Sequence, residues 1–149
     1  MISTISTAVP DDWEAVRDLL LKCKLPTAGA QAHLRAFLLI RGESGLIACG
    51  GLEHHGRDVL LRSIAVADGY RGNGIGHALV ADLLTTAKDA GAGTVVLLTE
   101  GAEQFFLGLG FQVVPRQDLP IAVMASEEFR GACPASATAM VLNLCAVHA

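Results

Sequence analysis

Aromatic residues make up only 5% of the 149-residue chain although hydrophobic residues reach 52%, so a core has to be assembled from Leu, Val, Ile and Ala, which suits stacked layers of strands and helices. Positive charge is also scarce. Eleven Lys and Arg against fifteen Asp and Glu leave a formal charge of −4, and the basic residues are scattered rather than gathered into the face that nucleic-acid binding requires. No apolar run approaches the roughly 20 residues that cross a bilayer, and Met1-Ile2-Ser3-Thr4 lacks the basic start of a secretion signal. These absences argue against nucleic-acid and membrane partners and predict a cytoplasmic protein. The length fits one domain, residues 1–149, able to bury about two thirds of its unfolded surface.

Cysteine is sparse too. Cys23, Cys49, Cys133 and Cys145 have neither the close pairing of a zinc site nor the density of a disulfide framework, so they read as reduced thiols. The five histidines form no metal-binding pattern, and His54 and His55, adjacent on a strand, point to opposite faces. No metal is expected.

What is present is a sequence of alternating elements. Pro10-Asp11-Asp12 opens a helix whose apolar face is Trp13, Val16, Leu19 and Leu20, with Lys22, Lys24 and Pro26 marking its end. A short helix near Gln31 to Arg35 precedes strands at residues 36–41 and 46–53, antiparallel across the Gly42-Glu43-Ser44-Gly45 turn. Gly56-Arg57-Asp58 introduces a strand from Val59 to Val66. Ile75, Leu79, Val80, Leu83, Leu84 and Ala87 recur at helical spacing, Gly91 and Gly93 end that helix, and strand 94–99 should run parallel to 59–66. A short helix from Ala102 to Leu109, a strand from Phe111, a Pro-containing connection and a last strand around 138–144 complete a mixed α/β chain.

The chemistry concentrates between Leu60 and His77. A strand ends at Val66, and Gly72, Gly74 and Gly76 open a strongly periodic helix. Glycine has no Cβ to hold a ligand off the backbone, so the free amides at the helix start can close on a diphosphate, aided by the helix dipole and by Arg71. The spacing is neither the dinucleotide fingerprint G-x-G-x-x-G nor a P-loop with Gly-Lys-Ser/Thr. A turn whose glycines only let helix and sheet pack closely is the plainer alternative.

In Arg71, Gly74 and Gly76 the chain resembles the GNAT superfamily of N-acetyltransferases, whose acetyl-CoA loop reads Arg/Gln-x-x-Gly-x-Gly/Ala. The resemblance implies a central mixed six- to seven-stranded twisted sheet flanked by helices, acetyl-CoA as co-substrate, a small-molecule amine as acceptor, and a homodimer. It implies that Ile64, Ala65 and Val66 pair with the pantetheine arm. Arg71, Gly72, Asn73, Gly74, Ile75, Gly76 and His77 would surround the diphosphate, with Thr99 and Phe105 on a second cofactor wall. In the C-terminal third, Leu119-Pro120, Ser126, Glu127-Phe129, Cys133-Pro134, Ser136-Ala137 and Met140 resemble an arsenic-resistance-associated branch, which is similar to bacterial enzymes that make N-acetylglutamate. Detoxification of an aminoaryl arsenical and acetylation of a glutamate-type amino acid therefore both stand, as does an acetyl-CoA-binding sensor without catalysis.

Many members of that family protonate the leaving thiolate with a Tyr after the fifth strand, where this chain has Phe105 and Phe106. The acid that some place on the fourth strand is also missing beside Leu60 and Arg62. Glu53 is the candidate base, a solvated strand-end charge being its alternative role. Arg62 is a candidate clamp for an acceptor carboxylate or arsonate, with a structural ion pair as the alternative. Ser63, Phe106, Cys133 and Ser136 complete the expected acceptor wall, Cys133 either as a thiolate ligand for trivalent arsenic or as a small buried residue.

Overall fold

The computed structural model describes residues 4–132 and 135–144. Seven strands form one mixed sheet: β1 (Ile5–Thr7), β2 (Phe37–Gly42), β3 (Gly45–His55), β4 (Asp58–Val66), β5 (Thr94–Thr99), β6 (Gln112–Val113) and β7 (Thr138–Asn143), in the spatial order β1-β2-β3-β4-β5-β7-β6. The helices are α1 (Trp13–Lys22), α2 (Ile75–Asp89) and α3 (Glu103–Leu107). No helix among the described residues is long and apolar enough to cross a membrane. Cys23 and Cys49 are free thiols, and burial pushes Cys49 up to about 12.

The expected boundaries hold closely for β2 to β5 and α2. Pro10 begins a 3-10 turn, Pro10–Asp12, rather than the α-helix itself, and the Asp12 carboxylate accepts the Val9 N–H and pairs with Arg41 on β2. The strand expected from Phe111 is reduced to two residues. Phe111 is buried edge-on against Phe106, at a centroid distance of 5.6 Å, and Pro115 two residues beyond β6 has no N–H to extend the ladder. The connection to β7 consists of 3-10 turns at Arg116–Asp118 and Ile121–Ala125 and a wide turn at Glu128–Ala132.

Each face of the sheet has its own core. Leu79, Val80, Leu83 and Ala87 of α2 pack against Leu52, Leu61, Val95 and Leu97 on one side. On the other, Val16, Leu19 and Leu20 of α1 meet Phe37, Leu39 and Ala65. Farther along that second side, Leu119 and Val123 cover Leu60, Val96 and Ala139 as a separate cluster. The sheet centre is thinned to allow this. A Cβ on Gly50 would stand 2.5 Å from Ile64 and 2.9 Å from Leu83, and one on Gly51 2.2 Å from Phe37, so the two glycines of β3 admit close-packed layers on opposite faces.

Two irregularities of β4 position the site. The parallel pairing with β5 covers only Asp58↔Thr94, Val59↔Val95 and Leu60↔Val96, although both strands continue, so β4 and β5 splay apart beyond Leu60. On its other edge β4 carries a bulge: Cys49 pairs with Ala65 and Gly51 with Arg62, leaving Ser63 and Ile64 opposite Gly50 alone. Ser63 sits in the left-handed region at φ 63°, a conformation an L residue holds only when its surroundings impose it.

Candidate active site

Between the splayed strands lies a cavity of about 410 Å³, with Leu61 to Ile64 of β4 on one wall and Leu97 to Thr99 of β5 on the other. Phe105 and Phe106 of α3 close one side, and Cys23 to Pro26, after α1, close another. The two rings stack edge to face, 4.9 Å between centroids. Ile64 and Thr99 from the expected cofactor wall thus meet Arg62, Ser63 and Phe106 from the expected acceptor wall. Ala65 turns its side chain into the α1 core and is 2% exposed, which leaves only its backbone toward the cofactor edge.

The loop from Val66 to α2 is built by local bonds at its start and left open at its end. Ala67 N–H donates to Ile47 C=O at 2.8 Å and Tyr70 N–H to Ala67 C=O at 3.1 Å. Arg71 folds back, its Nε donating to Val66 C=O at 3.0 Å and its Nη1 pairing with Asp68 at 3.1 Å. The first bond of α2 runs from Ala78 N–H to Gly74 C=O, and Gly74 at the helix start has φ 78° with no side-chain cap. The backbone N–H groups from Gly74 to His77 have no acceptor among the described residues. These are the orphan amides of a helix N-terminus, exposed together beside the positive end of its dipole. Gly76 lies against Phe105, and the exposed His77 meets the same ring edge-on at 6.1 Å, so the loop adjoins the cavity.

On the far side of β4 a buried polar seam separates the two apolar clusters of that face. The Arg62 guanidinium is wholly buried; its Nη1 donates to Glu53 Oε2 at 2.6 Å, its Nε to Ser63 Oγ at 3.0 Å and its Nη2 to Ala28 C=O at 2.8 Å. Nη2 also lies 3.3 Å from Glu128 Oε2. The other Glu53 oxygen stands 3.1 Å from His55 Nε2 and 3.6 Å from His33 Nε2. Burial by itself would raise the Glu53 carboxyl, but hydrogen bonds from Arg62, His55 and Ser126 together hold it below the usual carboxylate range. Burial lowers His33, while Glu53 acts against that shift.

This seam corrects the expectation for Glu53. The residue is 1% exposed and stands behind Arg62, outside the cavity wall, and a carboxylate stabilised in its ionised form is a poor proton acceptor. Arg62 does reach the wall, but with its donors engaged by protein oxygens, which is the ion-pair alternative rather than an open clamp. Ser136 lies outside the wall and donates to Glu100 at 2.5 Å. Cys133 lies outside the described residues. Sequence reasoning missed Glu128, Cys23 and Lys24 as lining residues; Glu128 sits in a connection without periodicity, and nothing in the chain announces its meeting with Arg62.

Two consequences are measurable. Ser63→Val should destabilise the domain by about 2 kcal/mol in urea denaturation, because a β-branched side chain is least compatible with a positive φ and the Arg62 Nε would lose its acceptor. Stability should also fall in acid in two stages. His33 is lowered from 6.5, so below about that pH the unfolded chain binds the proton more readily and stability drops. Glu53 is lowered from 4.5, so its contribution is whole above that pH and is lost as pH falls through the folded value. Urea midpoints between pH 7 and pH 3 would show both, and a flat profile would contradict the seam.

A family model described as an acetyltransferase (GNAT) domain matches residues 33–113, more than half of the chain. N-acetylglutamate synthase from Neisseria gonorrhoeae, solved with coenzyme A and N-acetyl-glutamate, superposes with a TM-score of 0.81 at 18% identity over 97% of this chain and 35% of its own. This chain therefore spans about a third of that enzyme's length. A protein from Mycobacterium tuberculosis solved with CoA gives 0.75 at 22% identity, covering 95% of this chain and 99% of its own. A GNAT-family acetyltransferase from Staphylococcus aureus Mu50 gives 0.78 at 19% identity, covering 96% and 99%. At these identities the structural likeness establishes the fold alone. No curated protein sequence matches the chain.

Proposed function

The chain belongs to the GNAT family of acetyltransferases, which makes it an acyltransferase, and from that premise we propose that it transfers the acetyl group of acetyl-CoA to the amine of a small molecule as a single cytoplasmic domain. The observation that carries this reading is the run of uncapped amides at Gly74 to His77, beside a cavity opened by the divergence of β4 and β5. The amides take the diphosphate, and the unpaired edge of β4 from Leu61 to Val66 offers main-chain groups to the extended pantetheine arm. The bulge at Ser63 and Ile64 turns backbone toward the place where the thioester carbonyl would lie, and an amide there would stabilise charge developing on its oxygen.

Two acceptor classes are proposed. The sequence resemblance in the C-terminal third supports an aminoaryl arsenical, and hence a detoxification role. The second, an amino acid of glutamate type, is supported by the likeness of the fold to an N-acetylglutamate synthase solved with N-acetyl-glutamate. Release of free CoA, followed with a thiol reagent across a panel of amino acids, alkylamines and aminoaryl arsenicals, tests all of this at once. Turnover with the arsenical and none with glutamate selects the first class, and the reverse selects the second. Binding of acetyl-CoA with no CoA release from any amine would leave a sensor instead of an enzyme.

A further inference from the structure

Ser63 holds a left-handed backbone at φ 63° without being glycine, at the bulge where two residues of β4 face Gly50 alone. It is pinned there from two sides. The wholly buried Arg62 donates from Nε to Ser63 Oγ at 3.0 Å, and from β3 the buried Cys49 thiol donates to the Ser63 C=O at 3.4 Å. Backbone strain of this kind persists only where the surroundings over-determine it, and it gathers at sites of function. A hydroxyl has one hydrogen to give besides the lone pairs with which it accepts. The Ser63 hydrogen has no acceptor among the described residues, and the residue lines the cavity. A cationic N–H donating into the oxygen polarises the O–H and makes it a stronger donor than that of an isolated serine. The other hydroxyl on the wall, Thr99, stands across the cavity on β5, away from the bulge.

We propose that Ser63 is a catalytic residue whose hydroxyl donates a hydrogen bond to the thioester oxygen of acetyl-CoA as that oxygen gains charge, with Arg62 the positioning residue that orients and polarises it. The role rests on the acetyl-transfer reading of the cavity and adds a side-chain donor to the backbone amide of the bulge. In the step, the lone pair of a neutral amine R–NH2 forms the C–N bond to the acetyl carbon. The carbonyl π pair moves onto oxygen, where the Ser63 O–H meets it without giving up its proton. As that pair returns, the C–S bond breaks with its electrons passing to sulfur. One nitrogen proton ends on the thiolate, directly or through water, leaving R–NH–CO–CH3 and free CoA thiol. Donors aimed at developing charge act most strongly where water is excluded, and Ser63 is 9% exposed. The hydroxyl serves every acceptor alike, because the same oxyanion forms whichever amine attacks.

Ser63→Gly separates the hydroxyl from the backbone, since glycine adopts a positive φ without strain. With acetyl-CoA and the amine of the panel above that releases CoA fastest, the single-turnover rate of acetyl transfer should fall about 100-fold, the scale of losing one oxyanion donor. Acetyl-CoA affinity by calorimetry should stay close to that of the unaltered protein. Ser63→Ala lacks the same hydroxyl but keeps the strained φ, so it should show an equal loss of rate with a lower melting temperature than the glycine variant. A rate that stays near wild type in both variants, or a loss that saturating acceptor restores, makes Ser63 a structural partner of Arg62 and overturns the proposal while leaving acetyl transfer in place. So does a glycine variant that no longer melts cooperatively or no longer binds acetyl-CoA. A wild-type protein that releases no CoA from any amine overturns the acetyl-transfer reading as well.

Discussion

Gly74→Val should lower acetyl-CoA affinity at least about 100-fold, close to 2.7 kcal/mol in binding free energy, with the domain still folded. Gly74 holds φ 78° at the cap immediately before α2, where a Cβ would meet nothing within 4 Å. A valine is therefore not excluded by the fold. It strains the backbone by about 1–2 kcal/mol and places methyl groups in the space that a diphosphate must enter to reach the amides. Gly56, in the β3–β4 turn, is the control, since it has φ 72° and equally open surroundings. Gly56→Val should reduce the melting temperature by a similar few degrees and leave affinity unchanged. Calorimetric titration with acetyl-CoA and thermal melts of both variants separate the outcomes, and equal affinity losses in the two would refute the loop's role.

Arg62→Ala should be the most destabilising single change in the site, by about 3–5 kcal/mol, because it leaves Glu53 and Glu128 buried without their shared cation. For a domain of this size that corresponds to a fall of about 10–15 °C in melting temperature. Arg62→Lys should recover only part of the loss. A single ammonium group cannot reach Glu53, Ser63, Ala28 and Glu128 with the planar fork that guanidinium provides. A cost below about 1 kcal/mol for the alanine variant, measured by urea unfolding, would show that the seam does not hold the segment after α1, the C-terminal turns and the sheet together.

The proposed cofactor half of the site could be read as a candidate from the chain because it is local. Helical periodicity from Ile75, the strand before it and the alternate glycines lie within about thirty consecutive residues, and their chemistry depends on backbone amides whose placement follows from those elements. β2 to β5 were legible for the same reason, each being an apolar run bounded by turn residues. The acceptor half was not. Glu53 reads as a strand-end charge or a base until Arg62, nine positions away, is seen to seal it, and Glu128 stands in a connection whose irregular turns carry no periodic signal. Ser63 gives no hint of its positive φ, because a bulge is a property of two paired strands and not of one.

The sequence by itself determined the layered α/β class, the order of the elements and the glycine-rich start of α2, since each follows from local patterning and the geometry of glycine. Only the tertiary structure decided that β4 and β5 part after Leu60, that Arg62 is spent on Glu53, and that Glu128 reaches the cavity from the C-terminal turns. Those depend on which distant charges share a low-dielectric seam, and desolvation makes their pairing obligatory only once the chain has folded around them.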